Sequence, residues 1–338
     1  MHAWFPPPAL CIAGGQSTAH NPSRPFRNIF ESIGMSDELD LRDLRYFEVI
    51  AQTGHVGRAA ARLHRSQPAL TGSVRRLESA LGTALFEKAG RGIRLTAAGL
   101  ALAERARALR VATEDTIREI GELGAGSAGH VRIGVLPTLA RFLMPPLCRE
   151  FLHDAPRVTL KTVIAQNDVL AAQLEAGDVD LIVTTVVRAA PQLVHQAVLE
   201  DEAVVIASRA HPIFRRRRIG LSHLLDYPWV LAPSSVGTRQ WIEQVFRAQG
   251  LPTPQVQIET NLILMMPSLI HQTELLTFTS RRHAGPDARS PLREVRLRET
   301  TMSRQFAVVY RRDGYLSPAA KRLVALLVRR GRALFAGE

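Results

Sequence analysis

From Leu41 onward the apolar residues recur with helical spacing. Leu41, Leu44, Phe47 and Ile50 fall at three-residue steps and mark one face of a helix that Gly54 ends. Residues 58–63 read as a second, short, Ala-rich helix, with His64 and Arg65 as the turn after it. Ser66 suits an N-cap and Pro68 is tolerated in a first helical turn, so a third helix starts there, with Leu70, Val74, Leu77 and Leu81 as its buried stripe. LFEK and GIRLT, joined around residues 89–92, predict a two-stranded wing. Thr96 caps a long fourth helix running to about Leu123, with Leu102, Ala106, Leu109, Ile117 and Ile120 along one side.

GAGSAG at residues 124–129 reads as a hinge, and beyond it the pattern changes to strands alternating with helices. VRIGV, VTLKTVI, DLIVTT, AVVIA, WVLA, VQIET, ELLTFTS, EVRLR and FAVVY predict strands. Helices are predicted from Thr138, over 168–176, over 237–249 and over 318–330. Such alternation argues for open sheets flanked by helices, and about 200 residues exceed what one small sheet needs, so two subdomains are expected.

Composition narrows the class without naming it. Hydrophobic residues at 46% and charged residues at 22% are ordinary for globular domains. No run of 18 apolar residues occurs, which predicts no membrane-spanning helix. Two cysteines, Cys11 and Cys148, supply neither a disulfide framework nor a thiolate metal site, and a cytoplasmic location fits that usage. The net charge of +12 is weak support for nucleic-acid binding, because residues 35–98 hold ten basic against seven acidic groups while residues 124–338 hold 27 against 18. Lys88, Lys161 and Lys321 are the only lysines, an Arg bias that a GC-rich genome explains.

Helix, short helix, turn, helix and wing make a winged helix-turn-helix, in which the third helix enters the major groove. Opposite its apolar stripe lie Gln67, Pro68, Thr71, Gly72 and Arg75. Gln pairs with adenine, Arg with guanine, and a Thr methyl packs on thymine. Ser66, Arg76, Lys88, Arg91 and Arg94 are placed for phosphates or, on the wing, the minor groove. Periodicity alone leaves open a small helical bundle with a solvated basic face.

The text over residues 41–99 resembles the DNA-binding domain of LysR-type transcriptional regulators. LRDLRYFEVIAQTG, RAAARLHRSQPALTGSVRRLESALGTALFEK and GIRLTAAG follow the family order, with SQPAL, RLE, LG…LFE and LT..G as its specific parts. Two positions depart: Gly72 stands where the family often has a polar or basic residue, and His55-Val56-Gly57 replaces the usual Ser-Phe-Thr-like start of the second helix. The resemblance implies a linker helix that dimerises and a two-subdomain effector region like a periplasmic binding protein.

The expected organisation is an α+β multi-domain chain. Residues 1–37 form a disordered or untranslated leader, since Met35 opens a conventional start, and residues 38–98 the winged domain. Residues 99–124 form the linker helix, 125–130 the hinge and 131–338 the effector region. Its subdomain I covers about 131–198 and 305–335, and subdomain II about 199–304.

Other motifs carry less. The GxGxxG at residues 124–129 follows a helix and precedes a strand, the reverse of a dinucleotide fingerprint. Arg215 to Arg218 resemble a nucleic-acid patch but read as a solvated loop. No catalytic constellation, metal spacing or cofactor motif is found, so neither enzyme activity nor a cofactor is expected.

Ligands of open α/β folds bind beyond strand ends, at helix starts. Two segments qualify: Pro137, Thr138 and Leu139 after VRIGV, and Ser235, Gly237, Thr238 and Arg239 after WVLA. Family resemblance places an inducer pocket between them and brings Asn167, Thr184 and Thr185 near. The expected function is DNA-binding regulation controlled by a small, anionic co-inducer. The expected partners are an interrupted palindromic operator in double-stranded DNA, the effector and further copies of the chain as dimer and homotetramer, with room for RNA polymerase. The competing reading is a solute-binding protein or enzyme built on the C-terminal fold, which would need an export signal or catalytic residues.

Overall fold

A computed structural model describes residues 39–90, 92–125, 129–185, 190–262, 265–285 and 289–337. The leader, Arg91 and residues 126–128 of the expected hinge lie outside the described residues. The chain forms two units, Met1–Arg107 and Ala108–Glu338.

In the first unit, helices α1 (Leu41–Thr53), α2 (Val56–Leu63) and α3 (Gln67–Leu81) precede the antiparallel strands β1 (Phe86–Ala89) and β2 (Gly92–Leu95). Helix α4 (Ala97–Ala125) begins here and crosses into the second unit. Local chemistry sets the boundaries. Gly54 ends α1 in the left-handed region at φ 60°, which costs glycine nothing. His55 caps α2 by accepting from Gly57 N–H through Nδ1 at 3.1 Å, so it does the work of the Ser it replaces. Phe47, Leu77, Leu85 and Ala106 form one cluster; Ile50, Ala59 and Leu70 form another.

The family signature residues are the ones that join elements. Glu78 accepts from Leu85 N–H at 2.8 Å and ties α3 to the wing. Thr96 donates to Ala84 O at 2.7 Å and caps α4 by accepting from Gly99 N–H. A Cβ on Gly99 would stand 2.1 Å from Leu85 O, so no larger residue fits this approach.

In the second unit, β3 (His130–Val135), α5 (Pro137–Phe142), α6 (Met144–Asp154), β4 (Thr159–Ile164), α7 (Asn167–Ala176) and β5 (Leu181–Thr185) alternate. β6 (Leu193–Ser208), β7 (Trp229–Leu231), α8 (Gly237–Ala248), β8 (Val256–Glu259), α9 (Met266–His271), β9 (Thr277–Ser280), β10 (Leu292–Glu294), β11 (Met302–Arg311) and α10 (Pro318–Ala336) follow. β4, β3 and β5 run parallel, and β11, β6 and β10 continue that sheet antiparallel.

Three groups of buried residues divide this unit, the third, with Val204, Ile206, Val230 and Met266, lying across β6 from the second. Val131, Leu147, Val183, Leu199, Phe306 and Leu327 belong to the first. Ala203, Val205, Trp229, Phe246 and Leu276 belong to the second. β6 and β11 serve the first and the second, so the chain crosses from one core to the other twice, at residues 199–203 and 302–306.

Four expected elements differ. AVVIA is only the end of the 16-residue β6, whose Glu200-Asp201-Glu202 run interrupts the apolar pattern. EVRLR contributes only Glu294 to a strand, because Val295 and Leu297 turn into the core beside a 3-10 turn. ELLTFTS is a strand only over Thr277–Ser280, where it pairs with β6. The helix from Thr138 starts one residue earlier and stops at Phe142, where Pro145 and Pro146 open a second helix.

Residues 108–121 of α4 are knitted to the second unit. Asp115 accepts from Arg311 at 2.9 Å, and Arg118 donates to Asp180 at 2.7 Å. Burial alone would raise the Asp180 carboxyl, but hydrogen bonds from Arg132 and Arg118 hold it below the usual range. Leu109, Ile117 and Ile120 remain exposed on this helix.

Candidate functional site

Helix α3 separates its faces except at its C-terminal end, where Leu81, expected in the buried stripe, is exposed at the last helical turn. Leu70 and Leu77 are fully buried and Val74 packs beside them, whereas Gln67, Pro68 and Arg75 are exposed and Thr71 half-buried. Ser66 accepts from Ala69 N–H at 3.4 Å and caps the helix. The Thr71 hydroxyl donates back to Gln67 O at 3.0 Å, which leaves its methyl for contact.

Arg76 is a correction in degree. Its guanidinium donates to both oxygens of buried Asp43, at 2.8 and 2.7 Å, and Ser73 completes the cluster at 2.9 Å. Arg76 therefore locks α3 onto α1, although its side chain stays 60% exposed. The Arg76 hydrogen bond, opposed by burial and helped by Ser73, holds the Asp43 carboxyl below its usual range. On the wing, Lys88 and Arg94 are exposed, and Arg94 pairs with Glu87 across the hairpin at 2.7 Å.

The second unit contains a cavity of about 1470 Å³ beside the two crossing strands. Pro137 and Thr138 at the start of α5, Asn167 at the start of α7, Thr185 at the end of β5, and Gly237 and Thr238 at the start of α8 line it. Asn167, Thr184 and Thr185 do come together. Thr184 donates to Asn167 Oδ1, and Asn167 Nδ2 donates to Thr185 at 2.8 Å.

Four expected positions do not line the cavity. Leu139 is fully buried in the first core, because helix α5 turns it away from the opening. Thr184 is buried behind Asn167. Ser235 is exposed outside the lining. Arg239 points under α8, where it bonds Glu243 and donates to Ala232 O at 3.3 Å with its side chain 10% exposed. That guanidinium is already satisfied and is a packing group.

Several wall residues lie where no helix-start rule looks. Arg304 on β11 pairs with Asp201 on β6, and Ser280 donates to the same carboxylate at 2.9 Å. Arg281 pairs with Glu202 and forks onto Glu294 at 2.9 Å. Arg282 lies over the rings of Phe142 and Phe335 and donates to Ala336 O at 2.5 Å. Gln166 Nε2 and Arg304 Nε are buried without an acceptor. Sequence reasoning missed these residues; the signal that could have found them is the acidic run at 200–202 inside a strand.

His283 sits beside this wall, edge-on to Phe142 at 4.9 Å between ring centroids. Burial, reinforced by the positive charges of Arg141 and Arg304, pushes its imidazole down to about 4. Among the described residues no cluster of three His, Cys, Asp or Glu is placed for a metal, and no helix is long and apolar enough to cross a membrane.

A winged helix-turn-helix with a free reading face, followed by an α/β unit with a cavity between two cores, defines a DNA-binding transcriptional regulator with an effector-binding domain. The chain belongs to the LysR family: the lysR-family bacterial regulatory helix-turn-helix model matches residues 41–100, and the LysR substrate binding domain model matches residues 124–332. The HTH-type transcriptional regulator PcaQ of Agrobacterium fabrum is 31% identical over 230 residues, 67% of this chain and 73% of that one. The RuBisCO operon transcriptional regulator of Allochromatium vinosum is 30% identical over 293 residues, 83% and 93%. A solved full-length OxyR variant from Pseudomonas aeruginosa shares the fold with a TM-score of 0.59 at 22% identity, covering 88% of this chain and 97% of that one.

Proposed function

We propose that this cytoplasmic, non-enzymatic regulator reads its operator through Gln67, Thr71 and Arg75 and is controlled by a small carboxylate in the cavity at the strand crossing. The observation that carries the reading is the pair of buried donors, Gln166 Nε2 and Arg304 Nε, left without an acceptor on the cavity wall. A buried donor without a partner costs about 1–3 kcal/mol, and a carboxylate oxygen offsets that cost. Arg282 and Arg332 add positive charge to the lining, where Asp201 and Glu202 are already paired with arginines and Glu200 accepts from Gln305. Because the cavity lies where β6 and β11 pass between the cores, a ligand that fits one arrangement better shifts the population toward it.

On the DNA side, Ser66, Lys88, Arg91 and Arg94 hold phosphates, with Arg94 released from Glu87 on docking, and Pro68 packs in the groove beside Gln67. The exposed apolar residues Leu109, Ile117 and Ile120 fall within about 80° on α4 and form a seam for a second copy. A two-fold dimer then meets a palindromic site, and dimers pair into tetramers.

A gel shift with DNA from the gene's own upstream region, repeated with a panel of small carboxylates, tests this. Specific retardation that one carboxylate shifts is the expected result. Retardation that no carboxylate alters would refute the ligand chemistry, and binding no tighter than to random DNA would refute the reading face.

A further inference from the structure

The second unit carries another cavity, of about 680 Å³, beside the second core and outside the effector cleft's strand crossing. Six arginines line it: Arg209, Arg216, Arg217, Arg281, Arg293 and Arg296. Among the described residues Glu294 is the only acidic one in the lining, and its carboxylate is already forked by Arg281. The four-arginine run at 215–218, taken alone, is a solvated loop. Folding brings two of its members against arginines from the end of β6 and from β10 with its following residues. It is this convergence from four stretches of chain, with Arg281 from the turn after β9 as the fourth, rather than the abundance of arginine, that makes a site.

The cations differ in what occupies them. Arg216 pairs with Asp226 at 2.7 Å, and Arg209 donates to Ser290 O at 2.6 Å. Arg293 lies over the Phe214 ring at 4.4 Å. Arg217 and Arg296 are exposed and make no hydrogen bond or ion pair with any described residue. Like charges held around one concavity repel, and low-dielectric walls focus their field, so the arrangement favours an anion. Guanidinium forks match phosphate oxygens in pairs. Phe214, Ile219, Ala284 and Leu292 give the cavity an apolar floor, and its size falls within the range of small-molecule sites rather than of a flat macromolecular surface.

We propose that this cavity binds a phosphorylated small molecule, with Arg217 and Arg296 gripping the phosphate and Phe214 under the organic part. Arg281 also lines the effector cleft, where it holds Glu202. Phosphate in the smaller cavity competes with Glu202 for Arg281 and so changes the charge presented to the cleft. Binding itself does not require a ligand in the cleft, although the two sites are coupled through Arg281.

Isothermal titration of the full chain with inorganic pyrophosphate, at fixed ionic strength, tests the proposal. Saturable binding is expected, weakened at least roughly tenfold by Arg217→Ala combined with Arg296→Ala, both exposed side chains whose loss spares the core. Glu294→Gln, which removes the competing carboxylate, should tighten binding severalfold. No saturation by about 10 mM overturns the proposal. So does binding lost on Arg332→Ala but not in the double variant, because the anion then sits in the cleft. If the double variant instead weakens DNA binding and leaves pyrophosphate binding intact, the arginines serve nucleic acid and the proposal fails.

Discussion

Asp201 and Arg304 face each other across β6 and β11 as a hydrogen-bonded ion pair at the point where both strands leave one core for the other. Asp201 is 7% exposed and also accepts from Ser280 on β9, so three strands meet at one carboxylate. Breaking a buried pair on one side leaves an uncompensated charge. Asp201→Ala should therefore lower stability by about 3–5 kcal/mol in urea unfolding. Asp201→Leu with Arg304→Met, which removes both charges, should recover much of that loss; a double variant as unstable as the single one would show that the pair is not the cause.

Two glycines in the first unit should respond oppositely. Gly99→Ala forces a methyl against Leu85 O and should destabilise by roughly 1–3 kcal/mol. At Gly72 an added methyl meets only Arg76 Nη1, at 3.7 Å, so Gly72→Ala should stabilise α3 by about 0.8–1 kcal/mol. Thermal melts of the two variants, run side by side, check both signs.

Arg75 is exposed on α3, whereas Arg76 is bound to Asp43. Arg75→Ala should cost roughly 1–3 kcal/mol of operator binding with an unchanged melting temperature. Arg76→Ala should lower the melting temperature, because Asp43 stays buried without its partner. Its loss should also be pH-dependent: Asp43's depressed pKa contributes stability above the unfolded value near 4, which is lost as pH falls through the folded value. Titrated stability of wild type and Arg76→Ala should converge at acidic pH.

Thr138 lines the cleft and Arg239 does not. Thr138→Val should abolish the ligand response in the gel shift with operator affinity intact. Arg239→Ala should leave the response and weaken α8 packing, seen as a lower melting temperature. An Arg239→Ala variant that folds normally but ignores ligand would contradict this placement.

His283 predicts a pH slope. Its folded pKa of about 4 lies below the unfolded 6.5, so between those values the unfolded chain binds more protons and stability falls as pH falls. The span corresponds to roughly 3 kcal/mol at most. His283→Asn should flatten that slope in urea titrations at pH 6.5, 5.5 and 4.5.

The sequence by itself determined the winged domain. Its helices are local, and their stripes, caps and stops are written in neighbouring residues such as Leu70, Ser66 and Gly54. It also placed Thr138 and Gly237 at helix starts, because those follow from strand-to-helix junctions, whereas Asn167 came in only through the family resemblance. Tertiary structure alone decided which guanidiniums are available. Arg76 is consumed by Asp43, while Arg281 and Arg304 reach the cleft from the turn after β9 and from β11. A side chain's charge is local, but its partner is set by register and strand order. For Arg304 and Arg311 of β11 that partner lies 103 and 196 residues away, a distance across which no periodicity carries information.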